Sequence, residues 1–141
     1  MAYNLLKGKK GIITGAMNEQ SIAWKVAEKA YEEGAELVLT NTALSLRLGT
    51  LNKLAEKTGS LLVPADATSV EDLEHLVDAS LDHFGGKFDF VLHSIGMSPN
   101  IRKGRSYDDL SYDFFQKTVD ISALSFHKLL QTLYKKDALN R

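Results

Sequence analysis

The chain has no cysteine among its 141 residues. That excludes disulfides, thiolate metal ligands and cysteine nucleophiles. It has no charge excess either: 17 basic residues face 18 acidic ones, for a net charge of −1. Without a basic stripe, nucleic acid is not an expected partner. No apolar run approaches the roughly 20 residues of a membrane span, and the first seven residues, Met1 to Lys7, lack an apolar core followed by a cleavage site. These absences predict a protein with no membrane role and fit a cytoplasmic location. No repeat, low-complexity tract or linker interrupts the chain, so residues 1–141 are expected to form one domain. No second histidine or carboxylate stands at ligand spacing from His93, so no metal site is expected.

What is present is an alternation of short apolar runs and helical stripes. Ile12 and Ile13 read as a buried strand, followed by a turn at Gly15 and a helix starting near Ser21. That helix carries Ile22, Val26 and Ala30 as its apolar stripe, with Ala23 and Ala27 beside them, and it ends at Gly34. Glu36 to Thr40 is a second strand. Leu44, Leu48, Leu51, Leu54 and Ala55 trace a second helix, stopped near Gly59. Leu61 to Ala65 is a third strand, with pairing expected to end at Pro64. Ser69 caps a third helix bearing Val70, Leu73, Leu76, Val77 and Leu81, and Gly85-Gly86 break it. Phe88 to His93 is a fourth strand, followed by a polar loop from Ser94 to Asp109. A long helix runs from about Ser111 to Tyr134, capped by Asp109 or Ser111. Phe115, Val119, Ser122, Phe126, Leu129, Leu130 and Leu133 are placed for its burial.

The order βαβαβαβα predicts an α/β fold: a doubly wound parallel sheet, Rossmann-like and incomplete as it stands. Ligands of such sheets bind beyond the C-terminal strand ends. Those ends carry Thr14-Gly15, Thr40 to Thr42, Asp66-Ala67 and Ser94-Ile95-Gly96. Gly15 allows a tight turn into a helix N-terminus, where backbone N–H groups and the helix dipole favour phosphate. Five residues later, Ser21 suits both a plain helix cap and a phosphate ligand. The turn is not G-x-G-x-x-G, so by itself it favours a cofactor only weakly. Asp66 suits an adenine amino group or a simple turn into Ser69. Gly96 suits close approach of a ribose or nicotinamide, or a plain strand end. His93 reads as a packed or hydrogen-bonded histidine rather than a base. Met17 and Met97 read as gap-fillers. Arg102, Lys103 and Arg105 read as solvated charges, with a phosphate or an acidic carrier as the other reading.

Taken together, Gly15-x5-Ser21-Ile22-Ala23, Asp66-Ala67, His93-Ser94-Ile95-Gly96-Met97-Ser98-Pro99 and Asp120-Ile121-Ser122 resemble the NADH-dependent enoyl-acyl-carrier-protein reductases of type II fatty acid synthesis, in the short-chain dehydrogenase/reductase superfamily. The resemblance runs in order through essentially all 141 residues. It implies that Gly15, Ser21 and Ile22 lie against a pyrophosphate, and that Asp66 and Ala67 hold adenine. It also implies that Ile95 and Gly96 border the nicotinamide ribose, that Ser94 belongs to the cofactor site, that Ile121 packs beneath the cofactor, and that Ser98 meets an enoyl thioester through its backbone. Thr42 at the end of strand two belongs to the same cofactor set. The implied reaction is hydride transfer from NADH to a trans-2-enoyl thioester borne by acyl carrier protein, in a homotetrameric enzyme.

Two departures qualify that reading. The family's catalytic tyrosine and lysine follow a fifth strand, and Tyr134, Lys135 and Lys136 lack that spacing, so no catalytic residue is expected among these positions. Strand two ends in Thr40-Asn41-Thr42 with no carboxylate to select NADH, and Arg47 follows within reach of a 2′-phosphate, which leaves NADPH open. Two other readings stand beside the first: a non-catalytic NAD(P)-binding module, and a short-chain dehydrogenase acting on an alcohol or ketone.

Overall fold

The computed structural model describes residues 2–141. Four parallel strands, β1 (Lys10–Thr14), β2 (Glu36–Asn41), β3 (Leu61–Pro64) and β4 (Phe90–Leu92), lie in the order β3-β2-β1-β4. β1 is central, with Ile12 beside Val38 on one side and Val91 on the other. The chain therefore winds outward from β1 in both directions. The doubly wound expectation holds, and a crevice opens beyond the end of β1. Pro64 is the last paired residue of edge strand β3, opposite Asn41, as the missing proline N–H requires. Beyond the outer edge of β4, Leu139 pairs in parallel with Phe88.

Successive residues of a strand face opposite sides of a sheet, and this sheet is covered on both. Ile12, Val38 and Val63 meet Leu73, Leu76 and Val77 of α4 (Val70–Phe84), together with Leu129 and Leu133 of α7 (Ser125–Lys135). Ile13, Leu37 and Leu39 meet Ala23, Trp24, Ala27 and Ala30 of α1 (Ile22–Glu32), and Leu51 and Leu54 of α3 (Leu51–Thr58). Burial on both faces explains why the strands read as continuous apolar runs.

Several expectations need correction. In α1 the buried face is Ala23, Trp24, Ala27 and Ala30, whereas Ile22 is 77% exposed and Val26 also lies outside. Residue 22 sits about 100° around the helix from residue 23, and the small alanines are what let α1 lie close to the strands. The second helix is two: α2 (Ala43–Leu48) and α3, separated at Gly49, whose extended backbone sends the Thr50 N–H to the Met17 carbonyl, 3.1 Å away. Leu44 and Leu48 are consequently exposed. The loop after β4 holds a short α5 (Pro99–Arg102) and a 3₁₀ turn, Tyr107–Asp109. Strand four is likewise shorter than Phe88 to His93.

The long final helix is α6 (Tyr112–Val119), a π-helical turn at Asp120–Leu124, and α7, in one continuous run. Ser111 is its cap, accepting the Phe114 N–H at 3.3 Å. Phe115, Val119, Phe126 and Leu130 form its outer face, not its buried one. The buried side carries Ser125, Leu129, Thr132 and Leu133. Ser125 and Thr132 donate to carbonyls four residues back, Ile121 at 2.6 Å and Lys128 at 2.9 Å. Leu129 and Leu133 are buried as expected, but polar residues satisfied within their own helix share the core face with them, and that is why the rest of the hydrophobic pattern pointed the wrong way.

The N-terminal segment is held by Glu33, which is only 4% exposed. Its Oε2 accepts the N–H groups of Tyr3 and Leu5 at 2.9 and 3.1 Å.

Candidate functional site

The loops beyond the strand ends enclose a cleft of about 440 Å³, within the size range of small-molecule and cofactor sites. Its floor is apolar, from Leu73, Leu76 and Leu129, and its walls come from all four strand ends. Gly15, Thr42, Asp66, Ala67, Ser94, Ile95, Gly96 and Ile121 all line it.

At the head of the cleft, Gly15 has φ +87°, and a Cβ there would run into the Ser94 carbonyl oxygen. The β1 and β4 loops can touch only because residue 15 is glycine. Thr14 adds to the contact. Its hydroxyl donates to the Leu92 carbonyl at 2.8 Å and accepts the Ser94 N–H at 3.2 Å. Gly96 differs: it has no positive φ, and a Cβ there would meet nothing within 4 Å. Neither backbone strain nor packing within the chain calls for glycine at 96. Gly96 lines the cleft.

Ser21 occupies the N-cap position of α1 but makes no cap hydrogen bond. Its Oγ accepts the Met17 and Asn18 N–H groups, both at 3.1 Å, so it folds the loop instead of capping the helix. With both lone pairs engaged, the hydroxyl proton is left to donate. Neither Ser21 nor Ile22 lines the cleft itself; they stand at the start of α1, whose first N–H groups have no intrahelical acceptor.

Asp66 realises the turn reading. Its Oδ1 accepts the Thr68 N–H at 2.9 Å and the Thr68 hydroxyl at 2.7 Å, while its own N–H goes to Asp72 Oδ2 at 2.8 Å. Asp66 Oδ2 has no partner among the described residues. Thr42 caps α2, accepting the Ser45 N–H at 3.2 Å and donating to Ser45 Oγ at 3.0 Å. Thr40, 3% exposed, stands in the cleft wall, and its buried hydroxyl has no partner among the described residues. A buried hydroxyl is rarely left alone, so it marks an unmet hydrogen bond beside the cleft.

Ser98 caps α5, accepting the Ile101 N–H at 3.4 Å, and does not line the cleft. Arg47 does not line it either, whereas Arg102, read as merely solvated, does. Thr40 and Asn41, at the strand end already named, line it as expected, whereas Leu44, Ser45 and Thr68 also line it and were missed as ligand-facing residues. Hydroxyl side chains beside strand ends were the available signal. His93 is half-buried, with Nε2 2.8 Å from Ser125 Oγ and its ring against Phe126, which matches the hydrogen-bonded histidine expected. Burial holds its pKa below the ordinary histidine value. No helix among the described residues is long and apolar enough to cross a membrane.

Comparison with known proteins agrees with this geometry. Residues 15–140 match the family described as enoyl-(acyl carrier protein) reductase. The enoyl-[acyl-carrier-protein] reductase [NADH] 2 of Rhizobium meliloti is 35% identical over 125 residues, covering 89% of this chain and 46% of its own length. The reductase [NADH] FabI of Rickettsia bellii is 38% identical over 137 residues, covering 96% and 51%. The crystal structure of the FabI–NADH complex from Alistipes finegoldii superposes with a TM-score of 0.97 at 72% identity, covering 98% of this chain and 49% of that one. The chain thus spans about half the length of the relatives it matches. With nearly all of its residues within the family's pattern, it belongs to the enoyl-(acyl carrier protein) reductase family.

Proposed function

We propose that these residues form the dinucleotide-binding domain of an NADH-dependent enoyl-acyl-carrier-protein reductase, an oxidoreductase of fatty acid biosynthesis acting in the cytoplasm. The observation that carries the reading is the cleft wall at Gly96, where glycine leaves room that nothing in the chain uses. The unpaired Thr40 hydroxyl beside the cleft supports it, as does Asp66, an exposed carboxylate in the cleft wall with one oxygen that no group among the described residues engages.

The residues present suit a dinucleotide. Gly15, the Ser21 hydroxyl and the Ile22 N–H would hold the pyrophosphate at the start of α1. Thr42 would face the adenosine ribose. Asp66 Oδ2 and Ala67 would hold adenine. Ser94, Ile95 and Gly96 would border the nicotinamide ribose, with Ile121 beneath the ring and the Ser98 backbone toward the enoyl thioester. NADH, when bound, supplies the hydride that reduces the trans-2-enoyl thioester of the carrier-linked substrate. The part of this chain is to orient that cofactor and to exclude water from the apolar floor at Leu73, Leu76 and Leu129. No catalytic residue is assigned among positions 1–141. The tyrosine and lysine that assist the enolate oxygen would lie elsewhere in the enzyme. The absence of a carboxylate after β2 keeps NADPH as the alternative cofactor.

The exposed stripe of Phe115, Val119, Phe126 and Leu130 supports self-association through this helix, consistent with a homotetramer. Two measurements test the reading: calorimetric titration with NADH and with NADPH, and crotonyl-thioester-dependent loss of NADH absorbance by the enzyme that carries this chain. Tight NADH binding with turnover is expected. Binding without turnover would favour a non-catalytic module, and absence of binding would overturn the assignment. Sedimentation velocity tests the tetramer, for which a monomer would be the contrary result.

A further inference from the structure

The π-helical turn at Asp120–Leu124 does something the cofactor reading does not use. Two turns of α-helix take 7.2 residues. The π turn adds a residue, as the Ser125 N–H shows by reaching back to the Asp120 carbonyl. Residues eight apart then stack on one face, where an unbroken helix would put them about 80° apart. Asp120 and Lys128 are eight apart, and Lys128 Nζ donates to Asp120 Oδ1 at 2.7 Å. Helical side chains lean toward the N-terminus, which gives the lysine its direction.

The same ammonium donates to the Thr68 carbonyl at 2.9 Å. Thr68 in turn gives both its N–H and its hydroxyl to Asp66 Oδ1. A line of contacts runs from Asp120 through Lys128 and Thr68 to the Asp66 carboxylate in the cleft wall. On the other lip, Ser122 accepts the Met97 N–H at 3.0 Å, so the π turn touches the nicotinamide side separately. Lys128 itself does not line the cleft. It acts on the β3–α4 turn alone.

We propose that Lys128, aligned with Asp120 by the π turn, is a positioning residue that sets the Asp66–Thr68 turn for the adenine end of the cofactor. This rests on the dinucleotide reading above. It assigns Lys128 no contact with the ligand. Its charge is matched by Asp120, and its hydrogen bond to the Thr68 carbonyl orders a turn that would otherwise trade conformations and present Asp66 Oδ2 less often.

The test separates the two ends of the dinucleotide. K128M keeps the aliphatic stem and removes the charge, K128R keeps a donor, and D120N keeps the size of the partner. Each protein is titrated by calorimetry with AMP, with nicotinamide mononucleotide and with NADH, and melted in parallel. AMP and NADH affinity should fall about tenfold in K128M, the scale of a lost charge-assisted hydrogen bond. Nicotinamide mononucleotide affinity should stay unchanged. K128R should recover most of the loss, and D120N should weaken AMP in the same direction. Equal loss of both mononucleotides, or a lower melting temperature with AMP affinity intact, would overturn the proposal while leaving the cofactor reading in place. A wild-type protein that binds none of the three would overturn both. If K128M does not fold, D120N and K128R decide by the same ratio of AMP to nicotinamide mononucleotide affinity.

Discussion

Gly15 and Ser94 meet backbone to backbone at the head of the cleft, and the contact exists because residue 15 has no side chain and takes φ +87°. Gly96, two residues beyond Ser94, has open space where a Cβ would stand. The two glycines therefore predict opposite mutants. G15A should destabilise the protein by about 2 kcal/mol or more, through both strain and collision. G96A should leave stability within about 0.5 kcal/mol yet weaken NADH binding. Urea melts paired with calorimetric titration check both. A G96A protein that binds NADH normally would remove the ligand reading of that wall.

Burial in α1 and α4 gives a second contrast. Ile22→Ala should change stability by less than about 0.5 kcal/mol because the side chain is largely in water. Leu76→Ala, at a fully buried position of α4, should cost about 2–5 kcal/mol. Denaturant midpoints at constant slope measure the difference.

Glu28 joins α1 to α3. Lys57 at 2.8 Å, and then Lys25 at 3.2 Å, hold its carboxyl at about 2, well below the ordinary value for glutamate. A carboxyl whose folded pKa is depressed stabilises the fold above its unfolded pKa, about 4.3, and loses that contribution as pH falls through the folded value. Wild-type stability should therefore fall between about pH 5 and pH 2, more steeply than in E28Q. Both lysines are well exposed, so added salt should shrink the difference. Melts across that range, at low and high salt, decide.

His93 titrates with the same sign for a different reason. Burial beside Ser125 and Phe126 disfavours its charged form. The neutral ring stabilises the fold above the unfolded histidine pKa, about 6.5, and that contribution is lost as pH falls below it toward the folded value. The ring protons of His93 should titrate by NMR with a midpoint below about 6.5. A midpoint at or above that value would mean that burial does not govern the group.

The alternation of elements, the parallel sheet and the edge where the cleft opens were legible because they rest on local signals. Apolar runs such as Glu36 to Thr40, the Ser69 cap, and glycines at 34, 59 and 85 mark element ends through backbone chemistry that neighbours cannot change. Alternation of strands and helices then fixes parallel pairing and puts Gly15, Asp66 and Gly96 at one edge. What a side chain faces was decided only in three dimensions. Ile22 and Phe126 turned outward while the small residues beside them, Ala23 and Ser125, took the buried side of their helices. The break at Gly49 depends on a carbonyl of Met17, 32 residues earlier. The tie from Lys128 to Thr68 spans 60 positions and needs a π turn that no apolar periodicity announces. Local pattern determined the elements and their order; long-range packing and hydrogen bonding decided which faces are buried and which groups remain free to meet a ligand.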